Sequence, residues 1–111
     1  MKIINENDLE YKGGDSGPKY MIRGPLIDWG IILYKPGEKL GEHYHNKTEE
    51  TFYILEGTPT FMIDGKKMMM KSGDAFRLDM KVKHDIINES DKDCKILFIK
   101  TPYLPDDKVS V

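Results

Sequence analysis

The chain has 111 residues, of which 39% are hydrophobic and 32% are charged, with a formal net charge of −2 at pH 7. These values are typical of one soluble globular domain and argue against a disordered chain, while the near-neutral charge argues against nucleic acid or an anionic membrane as the main partner. The single cysteine, Cys94, excludes an intrachain disulfide and a thiolate-cluster metal site. No apolar run approaches the roughly 18 residues of a membrane-spanning helix, and residues 1–10 lack the apolar core of a signal peptide, so we expect a cytoplasmic protein.

Short runs rich in β-branched and aromatic residues alternate with clusters of Gly, Asp, Pro and Asn along the whole chain, which is typical of strands joined by turns. The predicted strands, in chain order, cover residues 29–34, 42–45, 51–55, 60–63, 67–71, 75–78, 84–88 and 95–100. Asp64-Gly65 is the strongest hairpin signal because a type I′ turn needs a positive φ at both central residues. The regular spacing of turns predicts an all-β antiparallel sandwich or small barrel.

The ends of the chain have a different character from its middle. Residues 9–23 contain Gly13, Gly14 and Gly17 and are predicted to form an irregular arm, whereas the end of the chain contains Pro102 and Pro105. We therefore divide the chain into an N-terminal arm over 1–24, a β-barrel over 25–101, and a tail over 102–111 that packs on the barrel.

All three histidines lie in predicted strands. His43 and His45 are two residues apart, so their side chains point to the same face of a strand, and Glu50 begins the next strand after a short turn. His84 comes from a separate strand, with Asn88 on the same face. An isolated histidine is commonly a packed or surface residue, but three imidazoles inside an apolar barrel need partners or carry a desolvation cost. We therefore predict that three nitrogens and one carboxylate oxygen converge on one metal ion.

The same residues resemble the two motifs of the cupin family. Gly37-x5-His43-x-His45-x4-Glu50-x6-Gly57 is similar to the first motif at every marked position, and Gly73-Asp74 followed by His84-x3-Asn88 is similar to the second. The second motif usually carries a proline and a glycine where this chain has Asp79 and Lys81, which leaves the conformation of the loop over 79–83 open. The resemblance implies a single-domain double-stranded β-helix, also called a jelly-roll cupin barrel.

The resemblance further implies that His43, His45, Glu50 and His84 bind one divalent metal, with Asn88 in a supporting role. Fe, Mn, Ni, Co and Cu ions suit such a mixed set of nitrogen and oxygen ligands, and Zn can bind as well. An octahedral ion held by four residues keeps two open positions, which allow a small molecule to chelate or allow one substrate and one O₂ or water to bind.

Three functions stay open at this point. We favour a metal-dependent small-molecule enzyme, with dioxygenase-like chemistry slightly ahead. The alternatives are a metal-dependent isomerase or lyase acting on a sugar or carboxylate substrate, and a non-enzymatic domain that binds or senses a small molecule. No catalytic acid or base can be named from the sequence.

Strand alternation also suggests residues around the pocket and an outer contact surface. Phe52 and Ile54 share the face of Glu50, and Ile86 shares the face of His84, so these three are expected to line the pocket or pack beneath it. Arg77 is a further pocket candidate because a guanidinium can clamp a carboxylate, although a surface salt bridge is the simpler expectation. Tyr44 should point away from the metal. Outward apolar residues, namely Tyr53, Leu55 and at least one of Met68, Met69 and Met70, predict a homodimer.

Overall fold

A computed structural model describes all residues, 1–111, and its regular structure is β-strand apart from one short 3₁₀ helix at Glu6–Asp8. The strands are β1 (Gly17–Arg23), β2 (Asp28–Tyr34), β3 (His43–His45), β4 (Glu49–Glu56), β5 (Thr60–Ile63), β6 (Lys66–Met69), β7 (Ala75–Leu78), β8 (His84–Ile87), β9 (Cys94–Thr101) and β10 (Lys108–Ser110). Each of the eight predicted strands is present, with ends that differ by a few residues. The structure contains no helix whose length and apolar character would suit a membrane crossing.

The strands form two five-stranded sheets with antiparallel pairing throughout. The first sheet has the order β1-β2-β9-β4-β7, and the second has the order β10-β3-β8-β5-β6. Neighbours in each sheet are mostly distant in sequence, as expected for a jelly roll in which the chain passes repeatedly between the two sheets. The all-β fold class predicted from the sequence is confirmed.

The Asp64-Gly65 hairpin prediction is also confirmed. Ile63 pairs with Lys66 across a two-residue turn, and Asp64 and Gly65 have φ values of 47° and 82°. Both central residues therefore adopt the left-handed conformation that a type I′ turn requires.

Two strands lie where the sequence predicted irregular structure. Residues 9–23 were expected to form an irregular arm, but β1 within them pairs with β2 over six positions from Gly17 to Arg23. In the expected tail, β10 pairs with β3. Both are edge strands. Gly17 and Pro18 are tolerated in β1 because one side of an edge strand makes no ladder hydrogen bonds, and β10 is only three residues long, so neither segment indicated a strand by its composition.

The core lies between the two sheets and is built from inward-facing apolar side chains. Its fully buried members include Phe52, Ile54, Phe61 and Ile86, and the rings of Phe52 and Phe61 pack edge to face with centroids 5.0 Å apart. Because Glu50, Phe52 and Ile54 alternate along β4, the same face of this strand supplies both the core and one of the predicted ligands.

Candidate metal centre

The structure brings the four predicted ligand residues together. His43 and His45 lie on β3, Glu50 lies on β4, and His84 lies on β8, where it is the register partner of His43. All four residues are buried, with exposed fractions of 6% or less for the whole residue, and one potential ligand atom from each lies within 4.8 Å of the others. The convergence of three imidazoles and one carboxylate, expected from strand alternation, is therefore present.

Backbone carbonyls orient two of the imidazoles. The Nδ1 atom of His43 lies 2.8 Å from the Gly41 carbonyl oxygen, and Nδ1 of His84 lies 2.9 Å from the Val82 carbonyl oxygen. A carbonyl oxygen only accepts hydrogen bonds, so each Nδ1 must carry the proton and donate. A neutral ring then has its lone pair on Nε2, the arrangement commonly seen in metal-bound histidines.

The contacts around Glu50 fit a cation held between these groups. Oε1 of Glu50 lies 3.2 Å from Nε2 of both His45 and His84. His45 Nε2 is buried and has no hydrogen-bond partner, although it lies this close to the carboxylate. When His84 is neutral, its Nε2 lone pair faces the Glu50 carboxylate. Two acceptor atoms cannot hydrogen-bond to each other, and a cation between them would account for their close approach. A partnerless buried nitrogen is costly in an apolar interior, and a metal ion would satisfy it.

The ionisation states of the site also suit metal binding. Burial alone would raise the pKa of Glu50, but the favourable interactions of its carboxylate with the adjacent imidazoles of His45 and His84 outweigh burial and lower this pKa to about 2. Burial lowers the pKa of His43 to about 4. Near neutral pH the carboxylate is therefore charged and the His43 imidazole is neutral, which are the forms that bind metals.

Three of the four residues, His43, His45 and Glu50, face a small cavity with a volume of about 50 Å³. Its walls come from both sheets, and they comprise Pro18, Tyr20, Ile32, Leu40, His43, His45, Glu50, Phe98, Lys100 and Lys108. A wider cleft of about 470 Å³ shares Pro18, Tyr20, Lys100 and Lys108 with this cavity and also contains Lys12 and Arg23. Partial desolvation lowers the pKa of Lys108, and the positive charges of Lys12 and Lys100 lower it further.

Of the predicted pocket residues, the apolar ones lie in the core and Arg77 lies elsewhere. Phe52, Ile54 and Ile86 are buried behind the ligands, with the Phe52 ring 6.1 Å from that of His84. Arg77 does not reach the cavity, which corrects the expectation that it lines the pocket. Its guanidinium is exposed on the outer face and pairs with Glu49 at 3.7 Å and Asp79 at 3.4 Å. The alternative expectation of a surface salt bridge is the one that the structure supports.

The polar lining residues that sequence reasoning missed are Tyr20, Lys100 and Lys108. Tyr20 and Lys108 belong to the two edge strands that were not predicted. Lys100 was within a predicted strand, but its place beside Glu50 depends on the pairing of β4 with β9, which the sequence does not reveal. Its spacing from Phe98 and Ile96, two and four residues earlier, was an available signal that it faces inward.

The loop over 79–83, whose conformation the sequence left open, is tied directly to the site. Lys81 has a φ of 68°, the left-handed conformation that favours glycine, and its N–H donates to the His45 carbonyl oxygen at 2.6 Å. The backbone carbonyl of the next residue, Val82, accepts the hydrogen bond from Nδ1 of His84. Lys81 thus keeps the backbone path for which glycine is usual in the second cupin motif.

Two other residues of the motifs hold the positions expected from alternation. Tyr44 faces a surface groove beside Lys81 and Val109, away from the cavity. Asn88 is fully buried, and its amide donates to the backbone carbonyls of Tyr34 at 2.9 Å and Lys92 at 2.7 Å, so it secures the fold.

Together, the two sheets and the buried cluster define a small double-stranded β-helix protein with a candidate metal centre of three histidines and one glutamate. The family model for the cupin domain matches residues 30–100, so the chain belongs to the cupin family.

Several known proteins are similar to this chain. It is 28% identical over 76 residues to the polyketide synthase CurC of Streptomyces cyaneus, covering 68% of this chain and 49% of that protein. It is 34% identical over 64 residues to the oxalate-binding protein of Thermotoga maritima, covering 58% and 53%, respectively. The chain spans about half the length of the curated relatives it matches. Among solved structures, a protein with a double-stranded β-helix domain from Klebsiella pneumoniae matches with a TM-score of 0.84 at 13% identity, covering 100% of this chain and 97% of that one, a likeness in fold alone.

Proposed function

We propose that this cupin binds one divalent metal ion through His43, His45, Glu50 and His84 and uses it to act on a small chelating molecule. The observation that carries the proposal is the buried Nε2 atom of His45, which has no hydrogen-bond partner although three other potential ligand atoms surround it. The metal would supply Lewis-acid or oxygen-activating chemistry at its open positions. The ions that suit this donor set are those of Fe, Mn, Ni, Co and Cu, with Zn as a further candidate.

Other residues of the chain would orient the metal ligands and enclose the metal site. The Gly41 and Val82 carbonyls keep the His43 and His84 rings in one orientation, so their Nε2 atoms need no rearrangement when the ion binds. Phe98, Ile32 and Leu40 form the apolar part of the cavity wall.

Metal analysis of the full chain tests the first part of the proposal. Wild type dialysed against a trace of Ni(II) or Fe(II) should retain about one ion per chain, whereas Glu50→Gln, which preserves the size of the side chain, should lose it at least 100-fold more readily. Glu49→Gln is the matched control on the neighbouring, partly exposed position and should retain the ion. Full occupancy of Glu50→Gln would overturn the proposed ligand set.

Dioxygenase-like activity is the first reaction to test, because one of the two adjacent open positions would accept a substrate atom while the other accepts O₂. Oxygen consumption by the Fe(II)-loaded chain with diketones, flavonols, thiols and hydroxy acids should identify a substrate. Conversion of a sugar or carboxylate substrate without oxygen uptake would instead indicate the isomerase or lyase alternative.

A non-enzymatic binding role is a second candidate, and the similarity to the oxalate-binding protein of Thermotoga maritima favours it. In that case a panel compound should raise the melting temperature of the metal-loaded chain while remaining chemically unchanged after prolonged incubation.

We also propose that the chain forms a homodimer. Tyr53 on β4 of the first sheet and Met68 and Met69 on β6 of the second have exposed fractions of 42%, 49% and 75%, which leaves apolar side chains at the surface of both sheets. Light scattering on the purified chain should give twice the monomer mass, and Met69→Lys together with Tyr53→Lys should reduce it to that of a monomer. Unchanged mass in the double variant would exclude this surface.

A further inference from the structure

Two lysines stand beside the candidate ligands, one on each sheet. Lys100 on β9 is the register partner of Glu50, and Lys108 on β10 is the register partner of His45. Residues directly opposite one another in antiparallel strands project from the same face, so both lysines are on the ligand face. Both line the 50 Å³ cavity.

The same two lysines continue into the wider cleft outside this cavity. Five basic side chains line that cleft, whereas Glu10 is the only acidic residue lining it. Two of the five are already neutralised, since Lys19 pairs with Glu6 at 3.9 Å and Arg23 pairs with Asp28 at 3.0 Å.

The remaining positive charges are poorly compensated. Lys108 and Lys12 take part in none of the salt bridges of the structure. Lys100 Nζ lies 3.8 Å from Asp28, which Arg23 already contacts more closely, and donates to the Tyr20 hydroxyl at 2.9 Å. A group of like charges at the mouth of a buried site costs stability unless a ligand of opposite charge uses it.

The sizes of the two spaces limit how a ligand can sit. A cavity of about 50 Å³ is comparable with the volume of one or two water molecules, so it accepts only the few atoms that reach the candidate metal. The rest of the molecule must extend past Lys100 and Lys108 into the 470 Å³ cleft.

We propose that the ligand is a small acid with a chelating head, such as a 2-hydroxycarboxylate, and a second anionic group that Lys108 and Lys100 bind at the cavity mouth, with Lys12 adding long-range attraction. This inference rests on the proposed metal-dependent function for the position of the head group. The new element of the inference is the anionic group at the other end of the ligand, which can be a carboxylate or a phosphate.

Three compounds with one head group and different tails test the inference. D-glycerate, D-malate and 3-phospho-D-glycerate share the 2-hydroxycarboxylate and end in a hydroxyl, a carboxylate and a phosphate, respectively. In calorimetric titrations of the Ni(II)-loaded full chain, at least one of the two compounds with anionic tails should bind about fivefold to tenfold more tightly than glycerate. The stronger of the two identifies the tail chemistry.

Substitutions should remove this preference without disturbing the head group. Lys108→Gln should bring the affinity for the preferred compound close to that for glycerate, with a smaller loss for glycerate itself, whereas the control Lys66→Gln, at an exposed position on β6, should change neither. Lys12→Gln, in an exposed turn, should weaken the preference partially and serves as the second variant if Lys108→Gln folds poorly. Equal binding of all three compounds to wild type, or an equal loss for all three in Lys108→Gln, would overturn the inference.

Repeating the titrations on the metal-free chain separates this inference from the proposed function. If Ni(II) does not bind, the proposed metal-dependent function fails, but the lysines should still prefer the anionic tails over glycerate. If Ni(II) binds and the tails make no difference, only the present inference fails.

Discussion

Lys100 of β9 lies directly opposite Glu50 of β4, so a lysine and a candidate metal ligand are cross-strand neighbours on the inner face of the first sheet. On its other side Lys100 is opposite Asp28 of β2, which in turn is opposite Arg23 of β1. Charges therefore alternate across four adjacent strands. Asp28 is the most buried of these groups and holds the Arg23 guanidinium through two hydrogen bonds of 3.1 and 3.0 Å.

Replacement of Asp28 by Asn should destabilise the protein by about 2 kcal/mol, because it breaks the bidentate contact with Arg23 and removes a negative charge 3.8 Å from Nζ of the partly buried Lys100. Chemical denaturation should show this as a lower midpoint. Asp15→Asn is the matched control: Asp15 is 86% exposed and pairs with Lys35 at 3.3 Å on the surface, so the change should be within about 0.5 kcal/mol. Equal effects of the two substitutions would contradict a stabilising role for the buried Asp28 carboxylate.

Replacement of Lys81 by glycine should stabilise the protein. Its φ of 68° costs an L-residue roughly 1 kcal/mol, and glycine adopts this conformation without that penalty. Lys81→Gly should therefore raise the free energy of unfolding, although glycine's greater flexibility in the unfolded chain offsets part of the gain. Lys83→Gly, two residues later and outside the left-handed region, removes the same side chain and should lower stability by about 0.5–1 kcal/mol. Paired denaturation curves measure both, and a loss in Lys81→Gly as large as that in Lys83→Gly would contradict this reasoning.

Gly30 should not tolerate alanine. A Cβ atom at this position would meet the Lys19 carbonyl oxygen of the adjacent strand and lie 2.9 Å from the Phe98 ring. The ring of Phe98 packs edge to face on Tyr20 there, with centroids 5.4 Å apart, so neither backbone nor ring can move freely. Gly30→Ala should cost about 3 kcal/mol, at the upper end of typical overpacking. A melting temperature within one or two degrees of wild type would show that β1 can shift to make room.

The sequence was sufficient to predict the parts of the structure that depend on local pattern. Turn residues and strand alternation predicted eight strands, and the two-residue spacing of His43 and His45 correctly placed both on one face. What it could not predict depends on pairing between distant segments. The place of Lys108 beside His45 depends on β10 joining β3, and edge strands carry little of the alternating apolar pattern that indicates a strand.

Arg77 shows how register decides which side of a sheet a residue occupies. It is the partner of Thr51, whereas Leu78 is the partner of Glu50. Since neighbouring residues on a strand face opposite ways, the face that carries Glu50 excludes Arg77. The sequence alone does not give the register of β4 and β7. It therefore could not distinguish an Arg77 side chain that faces the cavity from one that faces the outer surface.

Cys94 should be almost unreactive in the folded protein. Its thiol has no exposed surface, and burial raises its pKa from 9.0 to about 11. The reactive thiolate is therefore scarce at pH 8.5 in the folded state. Because the folded-state pKa is the higher one, the stability contributed by the buried neutral thiol is fully present below pH 9.0 and declines as the pH rises towards 11. Alkylation by iodoacetamide at pH 8.5 should be at least about 100-fold slower in buffer than in concentrated urea, followed by mass spectrometry. A free-cysteine peptide in the same urea solution controls for the effect of denaturant on the reagent. Rapid alkylation of the native chain would mean that the β2–β9 region, where Cys94 pairs with Tyr34, opens frequently.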